Sequence, residues 1–280
     1  MRRVVLVLAL VVVGPAAAAT IHGSRPGQLI VGTQAPDRIF TGPGPEYVQV
    51  AWGGVDTVHC GTGTDVVTAD RSDVVGRSCA IVSRRLSVDA SLNPKSQHET
   101  AIEPDDAAFG STVVAAYQVG RFQTGASSNI GFAVSNDAGL TWQRGELPSL
   151  TVESVPPGPE SSASDPTVAY DAVHGTWLIG TLTLEANASH VLVARSPDGA
   201  HWAAPVSVAT GPLLDKDWLV CDNGATSPHP GRCYATYTDD QKNITVVQSS
   251  DDGGVTWSQP VTMGPILVGT QPVVLADGAL

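Results

Sequence analysis

The sequence predicts an all-β protein in which two regions repeat short strands at different periods. The chain of 280 residues contains 29 Gly and 20 Pro, and only 15% of its residues are charged. This composition is typical of many short strands and turns, and it excludes a coiled coil, a helical bundle and a charged disordered chain. Acidic residues recur at residues 37, 46, 56, 65 and 73, and a turn motif ending in Trp recurs at residues 142, 202 and 257.

The charge balance bears on the class of partner. Lys and Arg together number 15, Asp and Glu number 27, and the formal net charge is −12. Such a surface repels phosphate backbones, so we expect no nucleic-acid partner.

The first 19 residues are predicted to be a Sec-type signal peptide. Arg2 and Arg3 precede the apolar run 4–13, and the small residues 16–19 offer a cleavage site before Thr20. A membrane anchor is the alternative, but this run would cross only about half of a ~30 Å hydrocarbon layer. We therefore expect a secreted, extracellular protein with no membrane span.

The four cysteines are predicted to form disulfides, because an exported protein folds in an oxidising compartment. Three connectivities are possible. We favour Cys60–Cys79 and Cys221–Cys233, since each pair lies within one segment and the second pair would join two antiparallel strands. Metal binding by these cysteines is the alternative, but the chain has no Cys-x-x-Cys sequence to support it.

Residues 30–82 repeat an acidic residue followed two places later by an aliphatic one. The clearest copies are Gly42-x-Gly44-x-Glu46-x-Val48 and Gly61-x-Gly63-x-Asp65-x-Val67. They resemble the RTX, or haemolysin-type, nonapeptide repeat. The resemblance implies a parallel β-roll with aliphatic side chains inside and Ca²⁺ bound between the Gly-Asp turns.

The calcium expectation depends on which side of the roll keeps its glycines. Alternate turns stack on one side, so Glu46 and Asp65 share the side with glycines, and these two residues are the preferred Ca²⁺ ligands. Asp56 lies with Asp37 and Asp73 on the other side, where the pattern is degraded, and is a weaker candidate. The alternative is a degenerate roll that binds no metal and is closed by Cys60–Cys79.

A second motif, Ser-x-Asp-x-Gly-x-Thr-Trp, occurs twice in full and once in a form one residue shorter. Each copy follows a strand-like run, and its Gly and carboxylate suit a hairpin turn, whereas its Trp begins the next strand and packs between sheets. The Asp of each motif is therefore interpreted as structural. The residues concerned are Ser135, Asp137, Gly139, Trp142, Ser196, Asp198, Trp202, Ser250, Asp252, Gly254 and Trp257.

These motifs resemble the Asp-box, or BNR, repeats of the sialidase-like β-propellers. With four short strands per unit, the resemblance predicts a partial β-propeller over residues 97–280, with three blades and the start of a fourth out of six. This region is expected to be C-terminally incomplete. The roll-like segment 30–82 precedes it, and residues 20–29 and 83–96 are expected to be linkers.

Polar residues open each predicted blade and would surround a central channel. They are Glu103, Asp165, Asp217 and Gln271. We expect Asp105, Asp165 and Asp217 to be candidate catalytic carboxylates, because glycoside hydrolysis uses two carboxylates placed across a sugar. The alternative is that these residues are only hydrated channel residues.

The resemblance implies a secreted glycoside hydrolase acting on an extracellular glycan or glycoprotein. True sialidases hold the substrate carboxylate with three arginines, the first from a Phe/Tyr-Arg-Ile-Pro motif that this sequence lacks. Arg121 is the nearest arginine and a candidate contact for a substrate carboxylate. The alternatives are a non-catalytic propeller that binds carbohydrate or protein, and a structural cell-surface module stabilised by Ca²⁺.

Overall fold

A computed structural model describes residues 17–84, 86–123, 125–267 and 269–280. Most of the predicted signal peptide, residues 1–16, lies outside the described residues. The described residues form strands, turns and bends with no helix, which confirms the all-β prediction. They divide into two compact units, the first ending at Leu86 and the second running from Ser87 to Leu280.

The first unit is a β-solenoid of stacked coils. Its strands form two parallel four-stranded sheets, in the orders β1-β3-β5-β7 and β2-β4-β6-β8. The strands are β1 (Thr20–His22), β2 (Leu29–Val31), β3 (Arg38–Phe40), β4 (Tyr47–Val50), β5 (Thr57–His59), β6 (Val66–Ala69), β7 (Val74–Val75) and β8 (Ile81–Arg84). The first strand begins at Thr20, so part of the segment expected to be a linker belongs to the solenoid.

The solenoid is held by a thin aliphatic core between its two sheets. The strands point one or two aliphatic side chains inward, and Ile39, Val48, Val58 and Val67 are completely or almost completely buried. Because strands alternate their side chains, the residues on either side of these face outward. Among the outward residues, the rings of His22, Phe40 and His59 stack with centroids 5.0 Å apart.

The repeated acidic residues of the solenoid are buried, and the Asp residues among them accept backbone hydrogen bonds between coils. The amide of Asp37 donates to Asp56 Oδ1 at 2.6 Å, and the amide of Asp56 donates to Asp73 Oδ1 at 2.9 Å. On the opposite side the amide of Glu46 donates to Asp65 Oδ1 at 2.9 Å. The four Asp carboxylates therefore each accept a backbone amide hydrogen from the preceding coil, and Glu46 is the exception.

The second unit contains three consecutive groups of four antiparallel strands, which we call meanders 1, 2 and 3. Meander 1 is β9 (Ser96–Phe109), β10 (Thr112–Phe122), β11 (Ser127–Ser135) and β12 (Gln143–Glu146). Meander 2 is β13 (Ala163–Asp171), β14 (Thr176–Leu184), β15 (Ser189–Ser196) and β16 (Val206–Gly211). Meander 3 is β17 (Leu214–Cys221), β18 (Cys233–Asp239), β19 (Ile244–Ser250) and β20 (Val261–Pro265).

The predicted fold class, a partial propeller with three blades and the start of a fourth, is wrong. Meanders 1 and 2 are not separate blades but one eight-stranded sheet, because β11 pairs with β13 at Ser127 and Ala163. The Ser127 hydroxyl reinforces this junction by donating to the Ala163 carbonyl at 2.7 Å. Residues 271–280, expected to open a fourth blade, contain no strand. The first unit, expected to be a short β-roll-like N-terminal segment, is a solenoid with its own core.

Two apolar clusters hold the second unit together. The first joins meanders 1 and 2, with Trp202 packing at 5.7 Å from Phe132, centroid to centroid. The second joins meanders 2 and 3, and Trp257 packs against its edge.

Both predicted disulfides are confirmed. Cys60 is bonded to Cys79 in the solenoid, and Cys221 is bonded to Cys233 across the paired strands β17 and β18. The described residues include no free cysteine.

The three turn motifs share one pattern of hydrogen bonds. In the first, the Ser135 hydroxyl donates to Asp137 Oδ1 at 2.8 Å, and Asp137 accepts the amide and hydroxyl hydrogens of Thr141. The same contacts recur at Ser250, Asp252 and Thr256, and His201 replaces the Thr in the second motif. These Asp carboxylates are fully engaged within their own turns.

Candidate functional site

The first strand of each meander is interrupted by a two-residue bulge at the same place. The bulges consist of Glu103-Pro104 in β9, Asp165-Pro166 in β13 and Lys216-Asp217 in β17. The first residue of each pair has left-handed backbone, with φ of 50°, 46° and 50° respectively. Left-handed φ is uncommon for residues other than Gly, and such strain clusters at functional sites.

The bulges show which residues of the three meanders are structurally equivalent. In meander 3 the equivalent residue is one position earlier than the sequence comparison indicated. Lys216, and not Asp217, corresponds to Glu103 and Asp165. Asp217 occupies the position that Pro104 and Pro166 fill in the other two meanders. Meander 3 therefore has a carboxylate where the fold elsewhere accepts a proline ring.

The three bulges line one cavity of about 250 Å³. This cavity brings together the three carboxylates predicted from the sequence, Asp105, Asp165 and Asp217. The full lining is Glu103, Pro104, Asp105, Asp165, Pro166, Thr167, Lys216, Asp217 and Trp218. We call this space the bulge cavity.

Asp165 is the most engaged carboxylate of the bulge cavity. Lys216 Nζ lies 2.9 Å from Asp165 Oδ2, and the Ser164 hydroxyl donates to Asp165 Oδ1 at 2.6 Å. Gln118 Nε2, from β10, extends the network by donating to Ser164 Oγ at 3.0 Å and to Glu103 Oε2 at 2.5 Å. The network links residues of all three meanders.

The surroundings of the cavity shift the pKa values of its carboxyl groups in opposite directions. Burial acts to raise the pKa of Asp165, but hydrogen bonds from Ser164 and Lys216 outweigh it and hold that pKa below its ordinary value. Burial raises the pKa of Asp217 well above its ordinary value, and the negative charge of Asp165 adds to the effect. Burial also raises the pKa of Asp105 and Glu103. Asp165 is thus favoured in its ionised form, and the surroundings of Asp217 favour its protonated form.

Asp217 has no hydrogen-bond partner for either carboxyl oxygen among the described residues, although its side chain is buried. The hydroxyl of Thr167 is buried and unpartnered in the same part of the structure. Gly180 makes room for both, because a Cβ there would lie 2.6 Å from Thr167 Oγ1 and 2.9 Å from Asp217 Oδ2. Buried polar atoms without partners are rare in folded proteins and call for an explanation.

Other residues singled out in the sequence lie outside the bulge cavity. Arg121 hydrogen-bonds to Gln97 Oε1 and to the Phe122 carbonyl, both at 3.3 Å, and is not among the lining residues. The Asp residues of the turn motifs are committed to their own turns.

The acidic side chains of the solenoid differ in how far their oxygens are available to a calcium ion. Glu46 is buried and its two carboxyl oxygens have no hydrogen-bond partner among the described residues, whereas Asp65 is engaged by the Glu46 amide and the Thr41 hydroxyl. Asp56 lies on the other side, as expected. Calcium takes six to eight oxygen ligands, and no group of three or more metal-binding side chains occurs among the residues described. The side chains present do not by themselves form a calcium site, and calcium binding stays a prediction.

Several contributors to the bulge cavity were missed in the sequence. The sequence pattern indicated Asp217 as the polar residue of its unit and gave no role to Lys216, Trp218 or Gln118. A signal was available in the Pro that follows Glu103 and Asp165, because a proline in the middle of a strand marks a bulge or an edge.

Comparisons with known proteins give structural neighbours only. No family model matches the chain, and no curated protein matches it. None of the described segments is a helix of the length and apolarity needed to cross a membrane.

The similar solved structures share low identity with the chain. An α-L-arabinofuranosidase from Fusarium graminearum, solved with an iminosugar inhibitor, is 15% identical over 63% of this chain and 52% of its own, with a TM-score of 0.46. An α-L-arabinanase from Penicillium chrysogenum, solved with arabinobiose, is 14% identical over 62% and 50%, with a TM-score of 0.43. The Hadza microbial sialidase Hz136 is 16% identical over 57% and 46%, with a TM-score of 0.36. The chain therefore spans about half the length of the glycoside hydrolases that it resembles in structure.

Proposed function

We propose that the protein is secreted and hydrolyses an extracellular glycan in the bulge cavity, with Asp217 as the acid and Asp165 as its ionised partner. The observation that carries this proposal is the presence, in one cavity, of two carboxyl groups whose environments shift their pKa values in opposite directions. Pairs of this kind separate the acid and base roles in glycoside hydrolysis.

The roles follow from the contacts of each group. Asp217, buried and with a raised pKa, is the proton donor for the oxygen of the leaving sugar. Asp165, kept ionised by Lys216 and Ser164, either activates water or attacks the anomeric carbon. Trp218 gives the cavity an aromatic wall against which a sugar ring can pack.

The proposal that the protein is secreted depends on features outside the bulge cavity. The N-terminal segment has the charge and apolar pattern of a signal peptide, and two disulfides are typical of an oxidising compartment.

The test is hydrolysis of a panel of oligosaccharides by the full chain and by Asp165→Asn and Asp217→Asn variants. Loss of either carboxylate should lower kcat by about 10²-fold or more with little change in KM. Asp106→Asn is the matched control, because Asp106 is the exposed neighbour of Asp105 and does not line the cavity. Full activity in both cavity variants would remove these residues from the mechanism.

One observation favours a second function, glycan binding without turnover. The carboxyl oxygens of Asp217 are closed off from solvent, whereas a proton donor must reach the bond that breaks. Binding to a glycan array without release of sugar at any pH would establish this function and exclude the first.

A further inference from the structure

We propose that Gln118 is a positioning residue, which fixes the direction of the Ser164 hydroxyl and so holds the Asp165 carboxylate in the bulge cavity. The inference rests on the proposed function in taking Asp165 as the ionised group of the site. Gln118 is not among the residues that line the bulge cavity, so it would act on a substrate only through its neighbours.

Gln118 is a completely buried polar residue beside the first bulge. It lies on β10, where it pairs with Ile102, the residue just before Glu103. Burial of an amide costs free energy unless its hydrogens find acceptors. The place of Gln118 in this strand therefore calls for acceptors nearby, and the structure supplies two.

The side-chain amide of Gln118 donates its two hydrogens to two different groups. Nε2 donates to Glu103 Oε2 at 2.5 Å and to Ser164 Oγ at 3.0 Å. Because an amide nitrogen only donates, the Ser164 oxygen has to be the acceptor in the second contact. The single hydrogen of that hydroxyl is then directed at Asp165 Oδ1, which lies 2.6 Å away.

The other contacts of Ser164 hold its backbone and leave its hydroxyl to Gln118. The Thr181 hydroxyl donates to the Ser164 carbonyl at 2.9 Å, and Ser164 pairs with Leu182 of β14. Ser164 is only 6% exposed, so water has little access to it. Gln118 is thus the donor that sets which way the Ser164 hydroxyl points.

Asp165 receives one donor on each carboxyl oxygen, from Ser164 on Oδ1 and from Lys216 on Oδ2. The titratable groups that face Asp165 are those of Glu103, Asp215, Lys216 and Asp217. Negative charge on Asp215 or Asp217 disfavours the charged form of Asp165, so the two donors have to offset it. Without Gln118 the Ser164 hydroxyl is free to turn, and Oδ1 loses an ordered donor.

The experiment measures by NMR, on the full chain, the pH at which the Asp165 carboxyl carbon titrates. Gln118→Met keeps the length of the side chain and removes both donors. It should raise the pKa of Asp165 by about 0.5 pH unit or more, because the charged form loses a donor. Ser164→Ala removes that donor directly and should give at least as large a rise. Adding Gln118→Met to Ser164→Ala should give no further rise, since Gln118 acts through the Ser164 hydroxyl.

Gln248→Met is the control for a general loss of packing. Gln248 is a buried glutamine of meander 3 that bonds to the Tyr237 hydroxyl and to two backbone carbonyls, and it does not line the bulge cavity. Its replacement should leave the titration of Asp165 unchanged. Gln118→Asn, whose amide is one methylene shorter, protects the test against misfolding of Gln118→Met and should also raise the pKa of Asp165.

Three results would overturn the inference. The first is an unchanged titration of Asp165 in the Gln118 variants, and the second is an equal shift in Gln248→Met. The third is a full further shift when Gln118→Met is added to Ser164→Ala, because Gln118 would then act through Glu103 instead.

Hydrolysis separates this inference from the proposed function. In an active protein, Gln118→Met should move the acidic limb of the kcat pH profile together with the Asp165 titration and leave KM unchanged. Shifted titration without hydrolysis by the wild type supports the inference and removes the catalytic role of the cavity. Hydrolysis by the wild type with an unmoved titration in Gln118→Met supports the catalytic role and overturns the inference.

Discussion

Lys216 Nζ lies 2.9 Å from Asp165 Oδ2, and the two residues occupy equivalent left-handed positions in neighbouring meanders. The contact joins the eight-stranded sheet to the four-stranded sheet of meander 3 through strands β13 and β17. The ionisation of Asp165 in the bulge cavity therefore depends on how the two sheets pack against each other.

Replacing Lys216 with Met should raise the pKa of Asp165, because the ion pair and hydrogen bond that favour the charged form are lost. The measurement is a pH titration of the Asp165 carboxyl carbon by NMR. The lowered native pKa stabilises the wild type above the unfolded pKa, and this contribution is lost as pH falls through the native pKa. The effect on stability should be small, since Lys216 is 39% exposed. An unchanged titration of Asp165 would contradict the role assigned to Lys216.

Replacing Asp217 with Asn should stabilise the protein more at pH 8 than at pH 4. The native carboxyl keeps its proton, whereas the unfolded one ionises near pH 3.9, so the wild type loses up to about 1.4 kcal/mol per pH unit until the raised native pKa is reached. The Tm of both proteins, followed from pH 4 to pH 8, checks this. A difference in Tm that does not vary with pH would show that Asp217 is ionised in the native state.

Trp202→Ala should destabilise the second unit far more than Trp142→Ala. Trp202 is 8% exposed and packs on Phe132 in the cluster between meanders 1 and 2, so its removal should cost about 3–5 kcal/mol. Trp142 lies outside the apolar clusters and is only half-buried, and its removal should cost about 1–2 kcal/mol. Urea unfolding measures both values, and equal losses would contradict the packing described here.

Asp252→Asn should make the protein less sensitive to acid. Burial works against ionisation, but hydrogen bonds from Thr256 and Ser250 outweigh it and lower the pKa of Asp252 to about 2. The contribution to stability is therefore present above the unfolded pKa near 3.9 and lost as pH falls towards about 2. The slope of the free energy of unfolding between pH 5 and pH 2 should be shallower in the variant. The turn geometry would be contradicted if the slope stayed the same.

Calcium binding by the solenoid is tested with the full chain. If Ca²⁺ binds on the side of Glu46 and Asp65, as the sequence predicts, Tm should rise with calcium concentration in the manner of any ligand that binds only the native state. Glu46→Gln should abolish the rise. Asp70→Asn, which removes a carboxylate from a turn on the other side, is the control. If the Tm of the wild type does not change with calcium concentration, the prediction of calcium binding is wrong.

The parts of the fold that depend on local sequence were predictable. The disulfides follow from short cysteine separations, and the hairpins follow from turn residues that act within eight positions of one another. The aliphatic residues of the solenoid, such as Ile39 and Val58, follow from the alternation of strands. In each case the side chains that decide the structure are close in sequence or strictly periodic.

The arrangement of the sheets was not predictable in the same way. Meanders 1 and 2 merge through Ser127 and Ala163, which are 36 residues apart, and no local pattern specifies that contact. The site shows the same limit. The sequence supplied Asp105, Asp165 and Asp217, but the role of Lys216 depends on a bulge whose register appears only when β17 is paired with β18.

The shared bulge has a consequence for how the cavity can change over evolutionary time. Three strands offer the same pair of positions, and one of the three already carries an acid where the others carry proline. Replacement of Pro104 or Pro166 by an acidic residue would thus add a charged group at a bulge position where meander 3 already carries Asp217. The charge of the cavity lining is therefore set at a position where the shared bulge accepts both a proline ring and a carboxylate.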